Sequence, residues 1–503
     1  MTRYLTVTLL AFFGVLWIKL IYPISSGLPD TDFFWHLAYG HWILEHGQLP
    51  PGDTFSWTHA GQPYQLTQWL GEVFIAMAYD AAGPLGTTIL GTVLAGTAIA
   101  FAWRSAARYV ASPVALTLAV LCNAILIVMA MRPQMFSFSA TAIAIYVLLR
   151  WLESPSFRHA AAYMLVMALW TNLHGAFVVG LILVGILAVG TTIQYFAGPR
   201  DANARRQAIG AWVLCAAATL ATGINPYGFA ALTNVFMIAG LQSAQVIIEW
   251  RPVMLTTATG WFYLMYALPF LGLLIVTPAR LAPTQLLFVI FALIFGLQAN
   301  RQVAIGGALM APFIAMLLAR TPQYANMLPT IKNPARPILV SAGLLILTLL
   351  AFPIVSFGQQ QLLRNLDKNY PVQAVDFLER NNLTTRVMSD TLEASYLIHR
   401  NIPVYLDGRM DLYRDAFFFR WWLAQRGAPD WEQVVIDADP TAVLLRRTVA
   451  LRQLLLASNQ WKLGFDDSNY SVLVPIHHPA PAVSPVHVDY QTPDGGPVLN
   501  YLE

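Results

Sequence analysis

The sequence predicts a polytopic α-helical membrane protein of about eleven transmembrane helices, followed by a C-terminal extracytoplasmic α/β domain. Three observations predict it. Hydrophobic residues make up 57% of the 503 positions and charged residues only 11%, well below the roughly 25% charged content of a soluble domain. Apolar runs near the ~20 residues that cross a bilayer recur from residue 5 to residue 357. Beyond Gly358 the charges become frequent and the apolar runs short. The net charge of +3, with no Lys/Arg-rich run, excludes nucleic acid as a partner. Cys122 and Cys215 both lie in apolar stretches and read as small buried hydrophobes, so they do not report a redox compartment.

Taken in order, Leu5 to Tyr22 follows Arg3 and is long for a secretory signal core. No small-residue cleavage site follows it directly, so it reads as a retained first helix. Further spans are expected near 85–103, 113–131, 134–152, 160–173, 176–196, 208–224, 259–278, 283–298, 303–319 and 337–357. Basic residues collect at Arg104 and Arg108, Arg150 and Arg158, Arg200, Arg205 and Arg206, Arg280, and Arg320, Lys332 and Arg336. An excess of Lys and Arg marks cytoplasmic loops, so these define the inner face. With Arg3 and Arg104 both inside, only two crossings fit between them. The stretch Gln68 to Ala82, which carries Glu72 and Asp80, is then expected to lie in the interface rather than to span. An odd count of spans with the N-terminus inside puts the C-terminus outside. Residues 1–357 therefore form the membrane domain, with a long first outer loop at 23–67, and residues 358–503 form the soluble domain.

In the soluble domain, Val372 to Arg380 and Glu393 to His399 read as helices. Arg386 to Met388, Val404 to Leu406, Ala442 to Leu445 and Val472 to Val474 read as strands. The alternation suggests a small, largely parallel sheet. The Pro- and Gly-containing tail from His478 reads as poorly ordered. No internal repeat, Gly-rich phosphate loop, HExxH or GxSxG motif is present.

The polar residues that are unusual for a membrane protein fall on the outer face. The first outer loop reads Leu28-Pro29-Asp30-Thr31-Asp32-Phe33-Phe34-Trp35-His36. Pro29 and Asp30 form a helix start, which places Asp32 and His36 on one face at i, i+4 with the aromatics as interfacial anchors. A carboxylate there is a usable general base if a cation keeps it ionised; read plainly, Asp30 is an N-cap and the aromatics a belt. Arg132 and Arg301 are outer-face arginines at helix ends, suited to bidentate phosphate contact or, more plainly, to snorkelling. His174, beside Asn172, ends a short span and is a functional candidate or a hydrogen-bonded helix end. Glu249, in Glu249-Trp250-Arg251, offers a second carboxylate over the site, for an acceptor or a metal, or else pairs with Arg251. No ligand spacing specifies a tight metal site, and a divalent cation, Mg²⁺ or Mn²⁺, stays open. In the soluble domain, Leu406 to Asp411 ends a strand, the place where α/β domains often bind ligands, or, more plainly, is a charged turn held by an Asp407–Arg409 pair. The aromatic run Phe417 to Trp422 is core, membrane-facing surface or a sugar platform.

The first loop and the layout resemble the GT-C glycosyltransferases, membrane enzymes that use polyprenyl-phosphate-linked sugars and include protein O-mannosyltransferases and aminoarabinose transferases. The residues that carry the resemblance are the acidic pair Asp30 and Asp32, the interfacial segments Phe33 to Glu45 and Gln68 to Ala82, and Trp42, Asp53, Phe55, Ser56, Trp57, Gln68 and Trp69. The resemblance implies an inverting transfer on the extracytoplasmic face of a bacterial inner membrane. Asp32 or Asp30 would be the base, Arg132 and Arg301 would meet the leaving phosphate, and His36, His174 and Glu249 would contact substrate. The partners implied are a polyprenyl-phosphate-linked hexose or pentose and a lipid, glycan or protein acceptor. A lipid-linked glycan transporter or flippase, an O-antigen polymerase or ligase, and a non-catalytic scaffold are the competing readings. The paired broken helices of transporters are not evident, and the densest polar loop is the first rather than a late one.

Overall fold

The computed structural model describes residues 2–26, 32–277, 281–324 and 370–486. Asp30, the expected span 337–357, the boundary near Gly358, and the basic residues Arg280, Lys332 and Arg336 lie outside the described residues. The chain divides into two compact units: residues 1–52 with 63–365, and residues 53–62 with 366–503. The ten residues 53–62, which the sequence reading leaves in the first outer loop, thus belong with the second unit.

The first unit is helical: α1 (Thr2–Ser26), α2 (Phe33–His46), α3 (Trp69–Ala106), α4 (Ser112–Cys122), α5 (Ile125–Val128), α6 (Gln134–Glu153) and α7 (Phe157–Leu173). There follow α8 (Val178–Ala197), α9 (Ala202–Ala221), α10 (Ala230–Ala239), α11 (Ser243–Val246), α12 (Ala258–Val276), α13 (Pro283–Gln298) and α14 (Val303–Leu318). Their starts follow the chemistry of helix ends. Ser156, Asp201 and Thr257 accept a backbone N–H from His159, Ala204 and Gly260, and Pro113 and Pro283 stand in first turns. Among the described residues five helical stretches are long and apolar enough to cross a membrane: 69–106, 134–153, 175–197, 258–276 and 300–318. The protein is a multi-pass membrane protein.

At the helix level one expected division is present and one expected span changes. Helix α3 is continuous in name only, because Ala82 and Gly83 leave helical geometry, Gly83 at φ 58° and ψ −144°, a region that only glycine occupies readily. Pro84, lacking an N–H, follows it, so the break separates the expected interfacial segment from the expected span. The expected single span 113–131 is instead two pieces, α4 and α5, after which Met129 is extended. The Asn123 side chain turns back to the Ala119 carbonyl at 2.9 Å where α4 ends. Helix α14 forms the core of this unit, with every residue from Val303 to Leu317 buried. It lies so close to α4 that a Cβ on Gly307 would meet the Cys122 carbonyl oxygen at 1.9 Å.

The second unit holds helices α15 (Val372–Arg380), α16 (Thr391–His399), α17 (Met410–Gln425), α18 (Trp431–Ala438) and α19 (Ala450–Ala457). Its strands are β1 (Val387–Met388), β2 (Ala442–Arg446), β3 (Trp461–Asp466) and β4 (Tyr470–Pro475), in the order β1-β2-β4-β3. The sheet is mixed rather than largely parallel: β1 and β2 run parallel, as do the single-residue bridges of Val404, while β4 is antiparallel to both β2 and β3. The cause is a tight turn between β3 and β4, where the Asp467 carboxylate accepts the N–H groups of Asn469 and Tyr470, each at 2.7 Å. The expected strand 404–406 reduces to Val404, which bridges Val387 on one side and Ser56 on the other. Through that bridge the segment 53–62 joins the sheet edge.

Candidate active site

Four separate segments of the first unit bring acidic and basic side chains together. Asp32 occupies the cap position of α2, two residues later than the Asp30 cap the sequence suggests, and its carboxylate does not cap the helix. It faces Arg132, whose Nη2 lies 4.0 Å from Asp32 Oδ2 and whose Nη1 lies 2.5 Å from Glu249 Oε1. Arg132 is held at the start of α6 by Pro133 in the helix cap position. Glu249 sits in the short 3-10 turn Ile248–Trp250, and Arg301 in the matching turn Asn300–Gln302. The two turns are laced together: Asn300 N donates to Arg251 O (3.0 Å), Asn300 Nδ2 to Ile248 O (2.8 Å), and Val253 N to Leu297 O (3.0 Å). The Arg301 guanidinium then lies over the Trp250 ring, 4.2 Å from its centre, a cation–π contact. Among the described residues it forms no ion pair of its own, though Asp32, Arg132 and Glu249 are near enough for their charges to act on it.

Behind Asp32 lies a buried polar layer. His36, one turn on, donates its backbone N–H to Asp32 O at 3.3 Å. Its Nδ1 lies 2.9 Å from Glu72 Oε1, and since a carboxylate only accepts, Nδ1 carries the proton. Burial, with His174 nearby, holds the His36 imidazole well below its usual range, so it is a neutral donor rather than half of an ion pair. Gln68 Nε2 donates to the same Glu72 oxygen at 3.2 Å. His174 caps the turn Gly175–Phe177: its Nδ1 accepts from Ala176 N (3.2 Å) and from Ser137 Oγ (2.8 Å), which leaves the proton on Nε2. Trp170 Nε1 in turn donates to Ser137 Oγ at 2.7 Å. Beside it, Trp69 Nε1 donates to Asn172 Oδ1 at 2.9 Å.

Of the residues singled out in the sequence, Asp32, His36, Arg132, His174, Glu249 and Arg301 therefore fall in one neighbourhood, while Asp30 lies outside the described residues. Glu249 pairs with Arg132 and not with Arg251. Glu72, read from sequence as a surface marker of an interfacial helix, is instead fully buried, whereas Asp80 keeps that role, exposed and paired with His41 at 2.8 Å. Lys19 was missed. Buried in α1, it donates to the Met129 carbonyl three residues before Arg132, and its signal was a lone cation inside an apolar run. Among the described residues no three His, Cys, Asp or Glu side chains converge to hold a metal ion. The Arg132 guanidinium lies between the Asp32 and Glu249 carboxylates, and Asp30, the other member of the acidic pair, lies outside the described residues.

In the second unit, the Asp407–Arg409 turn is a buried network. Arg409 Nε donates to Asp407 Oδ1 (2.8 Å) and Nη1 to Asp53 Oδ1 (2.6 Å), and the Tyr413 hydroxyl donates to Asp407 Oδ2 (2.9 Å). In the aromatic run, Phe418 and Trp421 are core, and Phe417 is half-buried.

No protein-family profile matches the chain, and no curated protein does. Solved structures share its fold. One is the archaeal oligosaccharyltransferase AglB from Archaeoglobus fulgidus in complex with an inhibitory peptide and a dolichol-phosphate, at 12% identity and TM-score 0.56, covering 92% of this chain and 72% of that one. Another is ArnT from Cupriavidus metallidurans in the apo state, at 13% identity and TM-score 0.56, covering 94% and 98%. The same protein bound to undecaprenyl phosphate matches at 13% identity and TM-score 0.52, with the same coverage. At such identities the likeness is one of fold, and it is the layout that the resemblance of the first loop to GT-C enzymes implies.

Proposed function

We propose that the protein is a membrane glycosyltransferase that moves a hexosyl or pentosyl group from a polyprenyl-phosphate donor to an acceptor hydroxyl, with inversion at the anomeric carbon. The observation that carries this reading is the meeting of Asp32, Arg132, Glu249 and Arg301 from four distant segments. The fold shared with proteins whose structures hold dolichol-phosphate and undecaprenyl phosphate supports the donor class. In this reading Asp32, kept ionised by Arg132, takes the proton of the acceptor hydroxyl as its oxygen bonds to the anomeric carbon. The bond from that carbon to the phosphate oxygen breaks, and its electron pair leaves on polyprenyl phosphate. Arg301, which forms no ion pair among the described residues, meets the charge that develops there, assisted by Arg132. Glu249 holds Arg132 in place. The acceptor is a lipid, a glycan or a protein. About eleven crossings with a cytoplasmic N-terminus would put the site and the second unit outside a bacterial inner membrane.

The test is transfer from a polyprenyl-phosphate sugar in membranes that contain the intact chain. Asp32→Asn should lower transfer at least about a hundredfold with unchanged expression and detergent behaviour. Transfer at the parent level in both Asp32→Asn and Asp30→Asn would end the catalytic reading and favour transport or a scaffold.

A further inference from the structure

The second unit carries a cavity of its own, about 410 Å³ in volume and open to solvent, within the roughly 300–1,000 Å³ of small-molecule sites. Its aromatic wall is made by Trp57, from the segment 53–62, with Tyr405 and Phe417; the ring centres lie 5.4 Å and 5.0 Å apart along that chain of contacts. Its polar rim is made by Arg386, Arg420 and Asp437. Arg420 is paired with Asp437, and Arg386 with Asp439 at 3.1 Å, so the rim offers fixed donors and acceptors with little net charge. Tyr405 is only 4% exposed, and its hydroxyl, which makes no hydrogen bond among the described residues, is not sealed from solvent. Burial pushes that phenol up to about 12, and the charges that act on it are those of Arg420 and Asp437, which places it toward the same rim.

We propose that this cavity is a saccharide-binding site. A sugar ring has one apolar C–H face and an edge of hydroxyls, and the cavity offers aromatic faces beside a neutralised guanidinium–carboxylate pair and a phenol that lacks a partner. A lipid chain would strand the ion pair and the phenol against hydrocarbon. A strongly anionic ligand would compete with the two carboxylates that already hold the arginines. The inference deepens the glycosyltransferase reading, on which the role of the bound saccharide as acceptor rests, but binding itself does not require transfer.

The experiment uses the full chain, purified in lauryldimethylamine oxide so that no sugar head group competes, on a microarray of bacterial and eukaryotic glycans with a parallel peptide array. The parent should be retained on a subset of glycans. Asp437→Asn and Arg420→Gln, both at exposed side chains, should weaken that retention at least tenfold with the same thermal unfolding, and Trp57→Phe should retain more of it than Trp57→Ala. Asp32→Asn should bind as the parent does even when it loses transfer, which separates this inference from the catalytic one. No glycan retained by the parent, retention indifferent to the cavity variants, or retention on peptides instead would overturn it.

Discussion

Replacing Arg409 by methionine removes the one cation from a buried cluster. Its side chain and those of Asp53 and Asp407 are all 0% exposed. Removing one partner of a buried ion pair costs about 3–5 kcal/mol, because the charge left behind cannot reach water. Here the low end applies, since both carboxylates keep other donors. Asp53 still accepts Phe55 N (3.1 Å), Ser56 N (3.0 Å) and the Ser56 hydroxyl; Asp407 still accepts the residue 409 backbone N–H (2.9 Å) and the Tyr413 hydroxyl (2.9 Å). About 3 kcal/mol is roughly a hundredfold in the population of the opened state. Asp53 anchors the segment 53–62, so opening should expose that segment. The assay is limited proteolysis of the full chain in detergent, with cuts mapped by mass spectrometry, because cleavage under fast reclosing tracks the opened population. Arg409→Met should raise cleavage within 53–62 roughly a hundredfold. Adding Asp53→Asn and Asp407→Asn should return most of the protection. A change of less than about fivefold would refute the argument, because the cluster would then contribute under about 1 kcal/mol.

Other predictions follow from single contacts. Arg301→Gln should lower the transfer rate constant about 10²- to 10³-fold, and Arg301→Lys should recover part of it, since a point charge replaces the planar fork; equal rates for all three refute the phosphate role. Lys19→Met should lower transfer by weakening the hold on the turn before Arg132, with a pH profile unlike that of Asp32→Asn; an unchanged rate removes Lys19 from the site's support. Glu393 is 1% exposed, and burial, with Asp390 nearby, pushes its carboxyl up to about 7 despite the Arg446 contact at 2.8 Å. The folded state therefore holds this proton more tightly than the unfolded one. The second unit should be most stable below about pH 4.5 in this respect and lose about 3 kcal/mol as pH rises toward 7, with no further loss above. Glu393→Gln should flatten that slope in proteolytic susceptibility measured from pH 5 to 8, and an unaltered slope would assign it elsewhere.

Long apolar runs were legible because the bilayer fixes their length and composition, which is why α6, α12, α13 and α14 fall within a few residues of expectation. The break at Asn123 was not, since one amide in an apolar stretch does not change its hydropathy, and only its bond to Ala119 O shows the helix ending. Asp32, Arg132, Glu249 and Arg301 stood out because charge at the end of an apolar run is costly and rare. Glu72 was misread because a carboxylate buried by a histidine 36 positions earlier looks, in sequence, like any surface acid. Strand β3 was missed because its pairing with β4 shifts register between Leu463 and Phe465, at Gly464, which spoils the alternation that marks a strand. Nothing local announced that Asp53 belongs with Arg409.

That last tie sets a clock on biosynthesis. Asp53 emerges from the ribosome with the first loop, and Arg409 follows 356 positions later, a delay of about 20–70 s at roughly 5–20 residues per second. Through that interval Asp53, Ser56 and Trp57 have no sheet edge to join and stand open to proteases. Burial of Asp53 and Ser56 is thus a late event, which a chain that stops short of Arg409 does not reach.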